Sequence, residues 1–148
     1  ESIHLGATSC YVGDNTDIIV MSEDVETCTQ KLINVIAELA NCRRAEKSAD
    51  TCVYTFPAGS ATTVGKRATL WMQEFEMDLE DLDYVLGSLK LLGSKGTTGT
   101  QASFFGAFLT EIRKQSNKID PMIAEKMGFK ACYPVSGQTY SRKWIREC

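Results

Sequence analysis

Four short stretches concentrate the polar groups that chemistry would need. They are "HLGATSCYVGDN" (His4 to Asn15), "TTVGKR" (Thr62 to Arg67), "GSKGTTGTQ" (Gly93 to Gln101) and "SGQTYSRK" (Ser136 to Lys143). The third is the densest. Counted on to Phe104, twelve residues hold three glycines, three threonines, two serines and Lys95. Small hydroxyls, backbone amides and one cation suit an anion-binding nest. They suit a connector between helices equally well. A phosphate P-loop is excluded, because Lys95 precedes the glycines it would have to follow and no strand leads in. The dinucleotide spacing is not met either. Connector and cradle both stay open on composition alone.

Metal and disulfide chemistry lack their usual text. The six cysteines (Cys10, Cys28, Cys42, Cys52, Cys132 and Cys148) are irregularly spaced, with no CxxC pair, and His4 is the single imidazole. A tetrahedral Cys/His zinc site needs a tighter pattern. Reduced thiols and a cytoplasmic protein are expected. Cys28 and Cys42 fall on an apolar stripe, where free cysteine acts as a small hydrophobe.

The elements that must position these stretches are helices. Val25, Cys28, Leu32, Val35, Leu39 and Cys42 recur at three- and four-residue steps, widened by Ile33, Ile36, Ala37 and Ala40. With Asp14 or Asn15 as cap, the pattern predicts a helix from about residue 15 to residue 47. Glu23, Asp24 and Glu26 would then complement the start of the helix dipole, and Arg43, Arg44 and Lys47 its end. Trp71, Phe75, Leu82, Val85, Leu89 and Leu92, flanked by Met72, Leu79 and Leu86, predict a second helix over about residues 62–92, stopped by Gly93. Asp78 interrupts its stripe, and Glu74, Glu76, Glu80, Asp81 and Asp83 read as a solvated face. Phe104, Phe105, Phe108, Leu109 and Ile112 suggest a third helix that fades. Asp120-Pro121 reads as a fresh start, with Asp as N-cap and Pro at the first helical position, and Met127-Gly128 as the stop. "CVYTF" and "ACYPV" are the only strand-like pieces, too short to build a sheet. The fold class is therefore all-α: long helices of a bundle joined by short irregular polar connectors, with apolar stripes suited to completion by other subunits.

Composition supports one folded domain. The chain has 148 residues, 43% of them hydrophobic and 24% charged, with a formal charge of −3. Such a composition favours a folded chain over disorder, and the acidic balance argues against nucleic acid or an anionic membrane as partner. No apolar run reaches the ~20 residues of a membrane span. The sequence opens at Glu1 without an initiator Met, which points to processing or to a piece of a longer chain.

"IHLGATSCYVGDNTD", "TTVGKR", "KGTTGTQASF" and "GQTYSRK" resemble the adenylosuccinate lyases of the fumarase/aspartase superfamily, the animal-type form above all. The matches stand in the family's order and span almost the whole chain. The resemblance implies β-elimination of fumarate from adenylosuccinate, leaving AMP, and from the succinyl-aminoimidazole carboxamide ribotide, with no metal or organic cofactor. It implies a nucleotide substrate, a homo-oligomer (a tetramer in the family) and no nucleic acid or membrane partner. Such an elimination needs a base, an acid, and donors for the carboxylate and the phosphate. Carried over residue by residue, Thr8, Ser9 and Gln138 match substrate-binding positions. Lys95, Thr97, Thr98 and Ser103 lie in the signature loop in a supporting role. Without the resemblance, Thr8 and Ser9 would read as helix-entry caps and Gln138 as an ordinary helix-start hydrogen bond. His4 is expected to make a structural hydrogen bond.

The pattern breaks where the proton-handling groups should stand. The family's acid histidine precedes "TTVGKR", and here "YTFPAGSATTVGKR" puts Thr55 and Phe56 at that place. Neither can exchange protons near neutrality as imidazole does. The base-serine loop and a further substrate histidine of the family fall outside this sequence, Pro121 interrupts a helix the family keeps continuous, and "WIREC" departs from its text. No catalytic residue is therefore assigned. The expectation is a single partial domain over residues 1–148, the central helical region of a lyase with upstream and downstream parts missing, inactive by itself. The alternative is a non-catalytic helical oligomerisation module, pairing with itself or with a full-length lyase. Another lyase of the superfamily, such as one for argininosuccinate, fits "KGTTGTQASF" and "GQTYSRK" less well.

Overall fold

The structure, a computed structural model, describes residues 6–45, 49–50, 62–103 and 116–144. His4, the strand-like 52–56 with Thr55 and Phe56, and the helix expected over 104–112 lie outside the described residues.

The first helix, α1, runs Ser9–Ala45, starting six residues before the expected position. Thr8 is its cap: the Thr8 hydroxyl accepts the Cys10 amide at 3.0 Å and its carbonyl accepts the Tyr11 amide at 3.0 Å. Asp14 and Asn15, expected as caps, are inside the helix and turn their side chains to other segments. Glu23, Asp24 and Glu26 consequently fall mid-helix, and the first turn carries no acid. At 37 residues α1 is about 55 Å long.

Two residues of strand β1, Ala49–Asp50, pair antiparallel with β2, Thr62–Thr63. A two-residue rung is shorter than any period that a sequence pattern can reveal. Thr63 then caps α2, Val64–Ser88, its hydroxyl accepting the Lys66 amide at 3.1 Å. The expected run to residue 92 is wrong by four residues. The Ser88 hydroxyl donates to the Val85 carbonyl at 2.9 Å, and the Leu89 amide reaches the same oxygen at 3.1 Å. Beyond that the chain is extended. The Leu91 amide donates to the Ala131 carbonyl at 3.2 Å and the Leu91 carbonyl accepts the Tyr133 amide at 2.9 Å, a parallel bridge between Leu91 and Cys132. Burial decides the break: Leu91 is 0% exposed and Leu92 1%. Full burial of such side chains stabilises by about 1.5–3 kcal/mol each, more than one added helical residue contributes.

A further helix among the described residues, α3, is Ser116–Lys126, and Pro121 lies inside it. The expected start at Asp120-Pro121 is therefore a misreading. A capping carboxylate must bend back to amides two or three residues on, whereas the Asp120 carboxylate turns away to residues 94 and 95. The end is as expected. Phe129 donates to the Ala124 carbonyl at 2.9 Å and Gly128 to Glu125 at 3.3 Å, the paired bonds of a Schellman motif. A 3-10 turn, Arg142–Trp144, follows.

The chain divides into two compact units, one of residues 1–24 with 85–148 and one of residues 25–84. In the first, Ile18, Leu91, Leu92 and Tyr140 form a buried cluster, with Ile19, Met21, Ile123, Phe129 and Cys132 packed against it. In the second, Val25 and Ala68 are buried, while Ile33, Val35, Leu70, Trp71 and Met77 are exposed on α1 and α2. Glu74, Glu76, Glu80, Asp81 and Asp83 are all exposed, the solvated face that their spacing predicts, and Asp78, which interrupts the apolar stripe, is exposed with them. No helix of the described residues is long and apolar enough to cross a membrane.

Candidate functional site

The first unit gathers three of the four polar stretches. Asn15, only 2% exposed on the second turn of α1, grips Gly93 at both ends of the residue. Its amide donates to the Gly93 carbonyl at 3.2 Å, and its side-chain oxygen accepts the Gly93 amide at 3.0 Å. From α3, Asp120 accepts the Ser94 amide at 2.9 Å and forms an ion pair with Lys95. Gly93 has φ +76°, and a Cβ there would collide with the Asp120 carboxylate, so only glycine lets that carboxylate approach.

The loop that follows is closed on itself. Gln101 donates its backbone amide to the Lys95 carbonyl at 2.8 Å and its side-chain amide to the Ser94 carbonyl at 2.9 Å. Its own φ is 60°, the left-handed region that non-glycine residues seldom adopt. The Thr98 and Thr100 hydroxyls stand 2.7 Å apart and are exposed. A Cβ on Gly99 would collide with the Ser136 carbonyl, so the loop lies directly on the start of the fourth polar stretch. That stretch is also fastened to α1. The Tyr140 amide donates to Asp14 at 2.8 Å, and the buried Tyr140 hydroxyl is 3.4 Å from Asp17. Arg142 stacks over the Tyr140 ring at 4.8 Å.

This geometry answers the question raised by the loop's composition. Residues 93–101 are not a slack connector, since three segments hold them. Nor is Lys95 an outward-facing grip for an anion. The Lys95 side chain is 5% exposed and that of Asp120 19%, so the cation is neutralised from within. A buried ammonium without such a partner is strongly disfavoured. The part of the loop open to solvent is its outer turn, with Thr97, Thr98 and Thr100 exposed.

Of the residues carried over from the resemblance, Thr8 and Ser9 form the entry to α1. Thr8 performs the capping role, and its hydroxyl keeps a proton to donate. Ser9 is exposed, and Gln138 is exposed on the bend before the 3-10 turn, not at a helix start. Asp14, which anchors Tyr140, lies six residues after Thr8, about 9 Å along the helix. The α1 entry, the loop and the Gln138 segment are thereby neighbours within one unit. "TTVGKR" belongs to the other unit, where Thr63 caps α2 and Lys66 is exposed. Sequence reading missed the structural partners Asn15, Asp120 and Tyr140. Asn15 and Gly93 are 78 positions apart, and nothing in either local stretch signals the pairing.

Burial raises the pKa of three groups here. The Cys132 thiol is pushed up to about 11 by desolvation, with the Asp120 charge adding to it, and it donates to the Asp120 carbonyl at 3.2 Å. It is a weak nucleophile at neutral pH. Tyr11 and Tyr140 are raised, each mainly by burial. Cys10, Cys28, Cys42 and Cys132 are free thiols. Among the described residues no cluster of metal-ligating side chains occurs.

The fold is found in solved proteins. A fumarate lyase from a Mesorhizobium species superposes with a TM-score of 0.80 at 17% identity, over 97% of this chain and 32% of that one. The likeness is one of fold, a long-helix architecture shared with that protein. In sequence, the chain is similar over 95% of its length to adenylosuccinate lyases. It is 45% identical over 142 residues to the enzyme of Saccharomyces cerevisiae and 38% identical over 143 residues to that of Schistosoma mansoni. It spans 29% and 30% of the length of those two relatives. No family model matches the chain.

Proposed function

We propose that this chain supplies part of the nucleotide site of an adenylosuccinate lyase, the enzyme class that releases fumarate from adenylosuccinate by β-elimination. The carrying observation is the 45% identity to the yeast enzyme across 95% of the chain. The convergence of the α1 entry, the loop and the Gln138 segment supports it, since an anionic nucleotide needs donors from several directions. Thr8, Ser9 and Gln138 are the substrate-contacting residues in this reading. The whole of residues 1–148 forms part of one lyase domain, in a cytoplasmic protein that needs no metal or organic cofactor.

Isothermal titration with adenylosuccinate tests the binding half. Gln138→Ala is expected to weaken the affinity about tenfold, the effect of losing one hydrogen bond to a charged group. Gln138 is exposed, so the change leaves the fold intact. Equal affinity of Gln138→Ala and the parent would remove Gln138 from the site. For catalysis, the purified chain is expected to show no fumarate release above a protein-free blank, because no residue with a useful proton-transfer pKa is assigned. Measurable turnover would refute that expectation.

A second reading has its own observation. Ile33 and Val35 on α1, and Leu70, Trp71 and Met77 on α2, are exposed, as expected of helices that associate with further copies or with a full-length lyase. Homo-oligomerisation, tetrameric in the family, follows from that reading. A strictly monomeric species in sedimentation would rule against it.

A further inference from the structure

We propose that Asp120 is the positioning residue of the loop over residues 94–101, setting its conformation by neutralising Lys95 and accepting the Ser94 amide. The wider idea that this loop faces a nucleotide rests on the function proposed above, while the positioning role stands on geometry alone. Three observations carry it. Asp120 uses both oxygens on the loop, one on the Ser94 amide at 2.9 Å and the other on the Lys95 ammonium. Lys95 is the loop's cation and is nearly solvent-free, so its position is dictated by where a countercharge stands. The bonds that close the loop end on the same two residues: Gln101 donates to the carbonyls of Ser94 and Lys95. Displacing residues 94 and 95 therefore undoes the closure at Gln101, whose left-handed backbone then has nothing to hold it. Asn15 fixes only Gly93, the residue before the loop.

The test separates placement from general stability. In the intact protein, Asp120→Asn leaves the ammonium unpaired, and amide exchange of the 94–101 segment is expected to accelerate at least tenfold, with that of residues 70–84 on α2 changing less than twofold. Should Asp120→Asn fail to fold, the double variant Lys95→Met with Asp120→Asn removes both charges. It is expected to fold and to recover most of the loop's protection, since no buried charge is left uncompensated. Titration with adenylosuccinate follows each variant, and the affinity is expected to fall and recover in step with loop protection. Unchanged loop exchange in Asp120→Asn overturns the proposal, whatever the protein binds. So does a double variant whose loop is as unprotected as that of a folded single variant. If the loop responds as expected but the parent protein binds no adenylosuccinate, the positioning role stands and the nucleotide reading falls.

Discussion

The loop over residues 93–101 and the long faces of α1 and α2 solve opposite problems. The loop is rich in glycine and polar groups, yet residues 91–96 are all buried, and Lys95 has its countercharge within the unit. The helices are rich in apolar groups, yet Val35 is 44% exposed and Trp71 53%. Composition alone would rank their burial the other way round. What decides is whether a segment can satisfy its own donors, acceptors and charges. The stretch over residues 93–96 recruits Asn15 and Asp120 and so can be buried, while Thr97, Thr98 and Thr100 beyond it stay exposed. The helix stripes are satisfied along their backbones, and nothing polar forces a partner upon them.

Three changes would break or sharpen that contrast. The largest is truncation of a core residue beside the loop. Leu91→Ala is expected to destabilise by about 2–5 kcal/mol, whereas Val35→Ala on the α1 face should cost within about 0.5 kcal/mol, both read from denaturant midpoints. Equal losses would mean that the helix face is packed as tightly as the core. The next pair exchanges glycines. Gly99→Ala places a methyl against the Ser136 carbonyl at φ +76°, and is expected to cost about 2–3 kcal/mol. Gly13→Ala within α1 meets nothing within 4 Å and is expected to stabilise by about 0.5–1 kcal/mol. A thermal melt shows whether the two shifts have opposite signs.

The smallest effect is chemical. Cys132 has its pKa raised from 9.0 to about 11, so the folded protein holds that proton more tightly than the unfolded chain. Its contribution to stability is complete below pH 9 and declines as the pH rises from there through about 11. At about pH 8, below the ordinary thiol range, iodoacetamide should modify the exposed Cys28 and Cys42 well before Cys132. Peptide mapping that finds Cys132 alkylated first would contradict the buried setting.

Much of the architecture is legible in the residues, and its failures share one cause. The α1 and α2 stripes, the acidic face of α2 and the Met127-Gly128 stop follow from local spacing and local backbone geometry. The start of α1, the end of α2 and the role of Asp120 escape a local reading because a distant partner outweighs a sound local signal. Asp14 and Asn15 are good caps, but Tyr140 and Gly93 claim their side chains. Leu89 to Leu92 continue a helical stripe, but pairing with residues 131–133 and burial favour an extended chain. Asp120-Pro121 has the form of a helix start, and Lys95 draws the carboxylate elsewhere. For the proposed site, Thr8, Ser9 and Gln138 rest on resemblance alone, since two are exposed and the third caps a helix. The residues that organise their surroundings have no signature at all.

Position 101 is confined by two demands that few side chains meet together. The left-handed backbone there would be relaxed by glycine, which has no side-chain amide to reach the Ser94 carbonyl. Asparagine tolerates that backbone but is one methylene shorter than the glutamine whose Nε2 spans the gap at 2.9 Å. Glutamate has the length and lacks the donor. The loop thus accepts a torsional penalty at a single residue and gains a closed ring of bonds, and the repertoire of substitutions that leave it closed is correspondingly narrow.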